Sequence, residues 1–310
     1  AMDSGSAIIF FPQGEYIIDK PLRAKAGHAQ NLTIRGQSRV STKIKPASVD
    51  ISDELGINSL FINQENDGKL SFENIRFISD IGAYTGNAIY CVEGGATSQV
   101  IFSGRINNCW FSFANTNTGY LVGGVNNYTI SNNVFEFAKN CFRLEGVGNG
   151  DISFLNNIVY SSYDNFINAG ADTNTKNNIT VSGLRLIGHN RGPLFNLKNC
   201  SRWTIDNVII ENGLAGSTDV GVADIENCTN LSLSNIVFER VLPNGVVTSA
   251  DAFKITTSTG IQISDTILND LNNGFVLTGS NEITLNLDNV RLTNVCLLYT
   301  SDAADEFSWV

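Results

Sequence analysis

Asp224 and Glu226 stand two residues apart in Ala223-Asp224-Ile225-Glu226, and an alternating strand puts both carboxyls on one face. At about 3.3 Å per residue, their Cα atoms would lie roughly 6.5–7 Å apart. Carboxyl pairs that cleave a glycosidic bond stand about 5–5.5 Å apart in retaining enzymes and about 6.5–9.5 Å apart in inverting ones. The spacing therefore suits inverting hydrolysis. A plainer role fits equally: Lys198 one repeat earlier and Lys254 one repeat later would make an exposed cross-strand charge ladder with them. A second constellation is the turn Gly188-His189-Asn190-Arg191-Gly192, matched one repeat earlier by Tyr163 and Asp164. His189 or Tyr163 as base, with Arg191 as cation, would suit proton removal beside a uronate carboxylate and stabilisation of the enolate. A solvated polar turn accounts for the same residues. Charge elsewhere gathers at Arg143/Glu145 and at Lys198/Asp224/Glu226/Lys254, which makes Arg143, Glu145, Lys198 and Lys254 the candidate substrate-binding groups, with Asp251 just ahead of Lys254.

The elements that must carry these residues are short strands. Leu70-x-Phe72-x-Asn74-Ile75-x-Phe77, Trp203-x-Ile205-x-Asn207-Val208-x-Ile210 and Leu231-x-Leu233-x-Asn235-Ile236-x-Phe238 share one pattern. Ten such segments place Gly36, Asn74, Asn108, Asn132, Asn156, Gly183, Asn207, Asn235, Asp265 and Asn289 at the middle position. Gly, and less readily Asn or Asp, takes the left-handed backbone conformation cheaply, so one such residue bends the chain between two strands. Intervals of 38, 34, 24, 24, 27, 24, 28, 30 and 24 residues mark a solenoid with a 24-residue minimal coil and loops of variable length. A further strand precedes each segment, as in Phe142-x-Leu144, Phe166-x-Asn168, Phe195-x-Leu197, Ala223-x-Ile225 and Phe253-x-Ile255. Three strands per coil over about ten coils predict an all-β, single-stranded parallel β-helix of triangular section.

Bulk properties agree. The 310 residues are 42% hydrophobic and 16% charged, enough for a large core. With 28 Gly and 5 Pro, tight turns must come from Gly, Asn and Asp, and Asn recurs in pairs such as Asn132-Asn133 and Asn156-Asn157. A net charge of −10 argues against a nucleic-acid partner, which needs a basic face. No apolar run reaches membrane-spanning length, so no membrane insertion is expected. Six cysteines show no metal spacing; they read as buried thiols, with Cys200 and Cys228 stacked on neighbouring coils. Cys296 to Glu306 reads as the translation of a transposase sequencing adapter. The expected division is therefore a β-helix domain over 1–295, cut at both ends, and a non-native tail over 296–310.

The opening Phe10-Phe11-Pro12-Gln13-Gly14-Glu15-Tyr16-Ile17-Ile18, followed by Leu22, resembles the first coil of the pectate-lyase-like superfamily, and Leu32-x-Ile34-x-Gly36 falls where its second coil begins. The resemblance implies a right-handed parallel β-helix and a polysaccharide partner. It also implies that the strand ahead of each bend lines a glycan groove, with Asp224, Glu226, Lys198 and Lys254 facing outward. Polysaccharide lyases, glycoside hydrolases and tailspikes share this fold, so the expected function is binding and degradation of polysaccharide by hydrolysis or elimination. The rival is a non-catalytic structural or adhesive β-helix that binds surface glycans. Gly188-His189-Asn190 departs from the Gly-His-Gly of polygalacturonases, whose accompanying acidic and Arg-Ile-Lys elements are missing, which speaks against that subgroup. No cofactor is indicated by the residues, although a lyase of this kind would admit Ca2+. Tailspikes of this kind form trimers, and the outward apolar stripe Val134, Ile158, Ile209, Val237 and Ile267, interrupted by Arg185, would serve a homotrimer. The expected location is extracellular or virion-associated.

Overall fold

The structure, a computed structural model, describes residues 7–24, 31–53, 56–63, 69–79, 84–91, 103–113, 119–123, 125–136, 140–145, 149–160, 165–170, 173–188, 192–211, 221–239, 251–279, 284–293 and 295–300. Among them every regular element is a strand and every pairing is parallel. No helix is long and apolar enough to cross a membrane.

The strand register reproduces the sequence intervals. Ile34 pairs with Phe72, Phe72 with Ile106, Ile106 with Ile130 and Ile130 with Phe154. Beyond them Phe154 pairs with Val181, Val181 with Ile205, Ile205 with Leu233 and Leu233 with Ile263. All of these side chains are buried and form one continuous core column. A parallel aromatic stack runs beside it, with Phe77, Phe111 and Phe135 at centroid spacings of 4.7 and 5.1 Å. These spacings are close to the distance between neighbouring strands, about 4.8 Å. The coil repeat therefore sets the stacking distance of the rings.

Two faces of the triangle belong to a seventeen-stranded sheet folded along an edge, and the third is an eleven-stranded sheet running from Leu22–Ala24 to Cys296–Thr300. The fold line is the column of middle residues. Nine of the ten have φ between 49° and 70°: Asn74, Asn108, Asn132, Asn156, Gly183, Asn207, Asn235, Asp265 and Asn289. In the early coils the bend separates two strands, Asn126–Ser131 and Val134–Glu136. Later it lies inside one long strand, as Asn207 does in Cys200–Glu211.

Gly36 departs from the expectation. It is not left-handed; a Cβ there would come within 2.3 Å of the Asn74 carbonyl oxygen, so close approach of the next coil selects the glycine. Two further left-handed columns escaped the sequence pattern. One is Asn127, Asp151, Asn178, Arg202 and Asn230; the other is Asn199, Asn227 and Thr257. In the later coils both lie at the corner between the short strand and the long one, as Asn199 and Arg202 do between Phe195–Lys198 and the body of Cys200–Glu211.

The fold line is also a hydrogen-bond ladder. The Asn108 amide donates to Asn74 Oδ1 at 2.7 Å, and the Asn289 amide to Asp265 Oδ1 at 2.8 Å. The Asn235 amide and the Ser234 hydroxyl both donate to Asp206, and these bonds hold its carboxyl below the usual range. Replacing Asn207 (φ 54°) by Ala should therefore cost about 1–2 kcal/mol, while Asn207→Gly should be nearly neutral. Paired urea melts check this; equal costs for Ala and Gly would contradict the left-handed strain.

Of the six cysteines, Cys91, Cys109, Cys141, Cys200 and Cys228 are buried and free. Burial pushes the Cys91 and Cys109 thiols up to about 12. Cys200 and Cys228 stack on neighbouring coils, the Cys200 backbone N–H donating to Cys228 Sγ at 3.4 Å. The strand Cys296–Thr300 pairs in parallel with Asn273–Thr278.

Candidate functional site

The eleven-stranded sheet positions the candidate residues. The five strands from Asn140–Leu144 to Asp251–Thr256 are four to six residues long, and alternation sends Phe142, Ile167, Phe195, Ala223 and Phe253 into the core, in register with one another. The residues after them face outward as one column: Arg143, Asn168, Asn196, Asp224 and Lys254. Two residues further on lie Glu145, Lys198, Glu226 and Thr256.

One coil differs from the expected register. Phe166-x-Asn168 was expected to point inward, but Ile167 occupies the core position and Asn168 faces out beneath Asn196. The matching Asn140-Cys-Phe-Arg and Asn165-Phe-Ile-Asn carried this alignment, since Asn140 pairs with Asn165. Asn168 therefore joins the outward column, and its Oδ1 accepts hydrogen bonds from the Asn196 amide at 3.2 Å and the Gly170 N–H at 3.0 Å.

The charged groups divide by partner. Lys198 Nζ lies 2.7 Å from Glu226 Oε1, one coil apart, and the Arg143 guanidinium is paired with Glu145 on its own strand. The cross-strand ladder expected for Lys198 and Glu226 is thus present. Asp224, in register with Lys254, lines a cavity of about 210 Å³ with Asp251, Lys254, Pro193 and Gly221. Asp251, which opens the next strand, was a secondary candidate in the sequence and joins Asp224 here. Its Oδ1 accepts from the Asn273 amide at 2.7 Å and the Asn272 amide at 3.2 Å, which fixes the carboxyl in place. Gly221 is required for the close approach: a Cβ would meet the Asp251 carbonyl oxygen at 2.4 Å. Such an arrangement places two acidic residues and a lysine around one concave patch, a combination suited to acid–base work on a bound polar ligand.

His189, Arg191, Tyr163 and Asp164 lie outside the described residues; in the chain they fall in the connections leading into the strands Asn165–Asn168 and Phe195–Lys198. Among the described residues no group of three or more His, Cys, Asp or Glu side chains is placed to hold a metal ion.

The apolar stripe is in register on the far arm of the folded sheet: Val134 pairs with Ile158, Ile158 with Arg185, Arg185 with Ile209, and Ile209 with Val237. Its exposure is uneven, from 9% for Val134 to 36% for Ile209, and Arg185 is tied to Glu211 at 2.9 Å.

No family model matches the chain, and no curated protein is similar to it by sequence. Solved structures are similar in fold. PfbA, a surface adhesin of Streptococcus pneumoniae, superposes with a TM-score of 0.58 at 11% identity, over 95% of this chain and 85% of that one. The catalytic unit of a thermostable GH87 alpha-1,3-glucanase from Streptomyces thermodiastaticus gives 0.52 at 10% identity, over 96% of this chain and 60% of that one. A DFA-IIIase from Arthrobacter chlorophenolicus A6 gives 0.52 at 12% identity, covering 96% and 89%. At these identities the likeness establishes the fold alone, a right-handed parallel β-helix.

Proposed function

We propose that this chain is an extracellular glycan-binding β-helix that hydrolyses its polysaccharide at the cavity shared by Asp224 and Asp251. The observation that carries the reading is that cavity. Two acidic residues from neighbouring coils line it together with Lys254, beside a polar outward column. Asp251 lies three residues along the strand and one strand over from Asp224, so their Cα atoms are on the order of 11 Å apart. Side chains converging from that distance leave room for a water beside the scissile bond, as inversion requires. Asp251, oriented by the Asn272 and Asn273 amides through one oxygen, is suited to activate the water. Asp224 is then the acid that protonates the leaving oxygen. Glu226, paired to Lys198 and outside the cavity lining, is assigned to substrate binding, as are Lys198, Arg143 and Glu145.

A second reading keeps the binding and drops the cleavage. The Lys198–Glu226 and Arg143–Glu145 pairs favour it, since both satisfy their charges without a ligand. Two of the similar folds bear enzyme names and one is an adhesin, so the architecture serves either role. Elimination by His189 or Tyr163 with Arg191 remains the third course, and a homotrimer through the Val134–Ile267 stripe is compatible with all of them. Incubation with neutral and anionic polysaccharides separates these readings. Hydrolysis releases new reducing ends without ultraviolet absorbance, whereas elimination gives both signals. Glycan binding by the folded chain with neither signal would remove the catalytic reading and keep the adhesive one.

A further inference from the structure

We infer that the bound glycan is a neutral chain several sugars long, held away from the cleavage point by an amide track of which Asn168 and Asn196 are the specificity-determining residues. This rests on the glycan reading above and adds the substrate class. Asn168, Asn196, Asp224 and Lys254 are consecutive in register on the outward column. Three steps of about 4.8 Å span roughly 14 Å, so a ligand filling the column contacts several sugar rings. A primary amide offers two donors and an acceptor at one point, which matches the vicinal hydroxyls of a neutral sugar. The Asn196 amide donates to Asn168 Oδ1, and the same oxygen takes the Gly170 N–H; this presets the amides' orientation. A Cβ at Gly170 would meet Asn196 Nδ2 at 2.8 Å, so a side chain there would displace the Asn196 amide.

The charges select against a polyanion. Over the described face, Arg143, Lys198 and Lys254 are three cations against four carboxylates, Glu145, Glu226, Asp224 and Asp251, and two of the cations are already paired. With a chain net charge of −10, the described residues of this face do not compensate a carboxylate on every sugar.

Affinity electrophoresis of the full chain tests the inference, with dextran, laminarin, galactomannan or soluble starch in the gel and alginate or polygalacturonate as anionic probes. Retardation is expected in at least one neutral gel and in neither anionic one. Asn196→Ala should weaken it about three- to tenfold, the loss of one or two hydrogen bonds, and Asn168→Ala similarly. Thr256→Ala, off the track, should leave it unchanged, and thermal melts verify that the variants are folded. Retardation by the anionic polymers alone, or by a neutral one with no sensitivity to Asn196→Ala, would overturn the amide track while leaving the glycan reading intact. A wild-type chain retarded by none of the six polymers would remove both.

Discussion

Asp224→Asn should reduce the rate of glycan cleavage about 10²- to 10⁴-fold while leaving affinity for the polymer within a few-fold of wild type. That range is what a single positioned proton donor or acceptor contributes. The substitution keeps shape and hydrogen-bonding capacity but removes the proton chemistry, so the effect should appear in kcat rather than KM. Asp251→Asn should lose activity to a similar extent. Glu226→Gln is the discriminating control. Its carboxylate is half exposed and paired to Lys198 at 2.7 Å, so its removal should cost less than about tenfold and be felt mainly in binding. If Glu226→Gln abolished cleavage and Asp251→Asn did not, the acid pair would be Asp224 and Glu226, two residues apart on one strand. Melting curves of all three variants should overlay the wild type, since none of these groups lies in the core.

The second large effect belongs to the interior. Asn157→Leu should destabilise the middle coils by about 3–5 kcal/mol. Asn157 is 1% exposed; its Oδ1 accepts the backbone N–H and the side-chain amide of Asn133, each at 3.1 Å, and its Nδ2 donates to the Ile130 carbonyl at 2.9 Å. Asn133 repeats the arrangement one coil back, donating to the Ile106 carbonyl and accepting the Cys109 N–H. Leucine fills similar volume yet strands several buried polar groups, each worth about 1–3 kcal/mol when left unpaired. Because each coil contacts only its neighbours, the loss should be local. Hydrogen exchange should accelerate first around residues 130–133 and 150–160. Uniform acceleration along the whole solenoid, or an unchanged midpoint in urea, would contradict a structural role for the ladder.

The winding of this chain was legible because left-handed torsion admits few residue types, and because apolar residues two apart mark the inward face. Both signals are local. Gly36 shows the limit of the first: glycine also answers to close backbone approach, and the residue type does not distinguish the two causes. Asn133 and Asn157 show another limit. Each follows a left-handed Asn and sits in the core, where an isolated reading assigns an amide to the surface. Only stacking of identical coils supplies the partners that make burial affordable. Phe166-Ile167 shows the limit of alternation, since both residues are buried and a one-residue slip is invisible without the strand partners. The outward position of Asp224 was readable from strand alternation. Its companionship with Asp251 was not, because they lie 27 residues apart, with a variable-length connection between their strands, and meet only through coil register.

The most direct measurement is the anomeric configuration of the first product, followed by proton NMR immediately after mixing the chain with the neutral polysaccharide that retards it. Two carboxyls set wide across the Asp224–Asp251 cavity predict a product of inverted configuration that then mutarotates. A product that retains the configuration, or an unsaturated sugar, would contradict that pair as the acid and base.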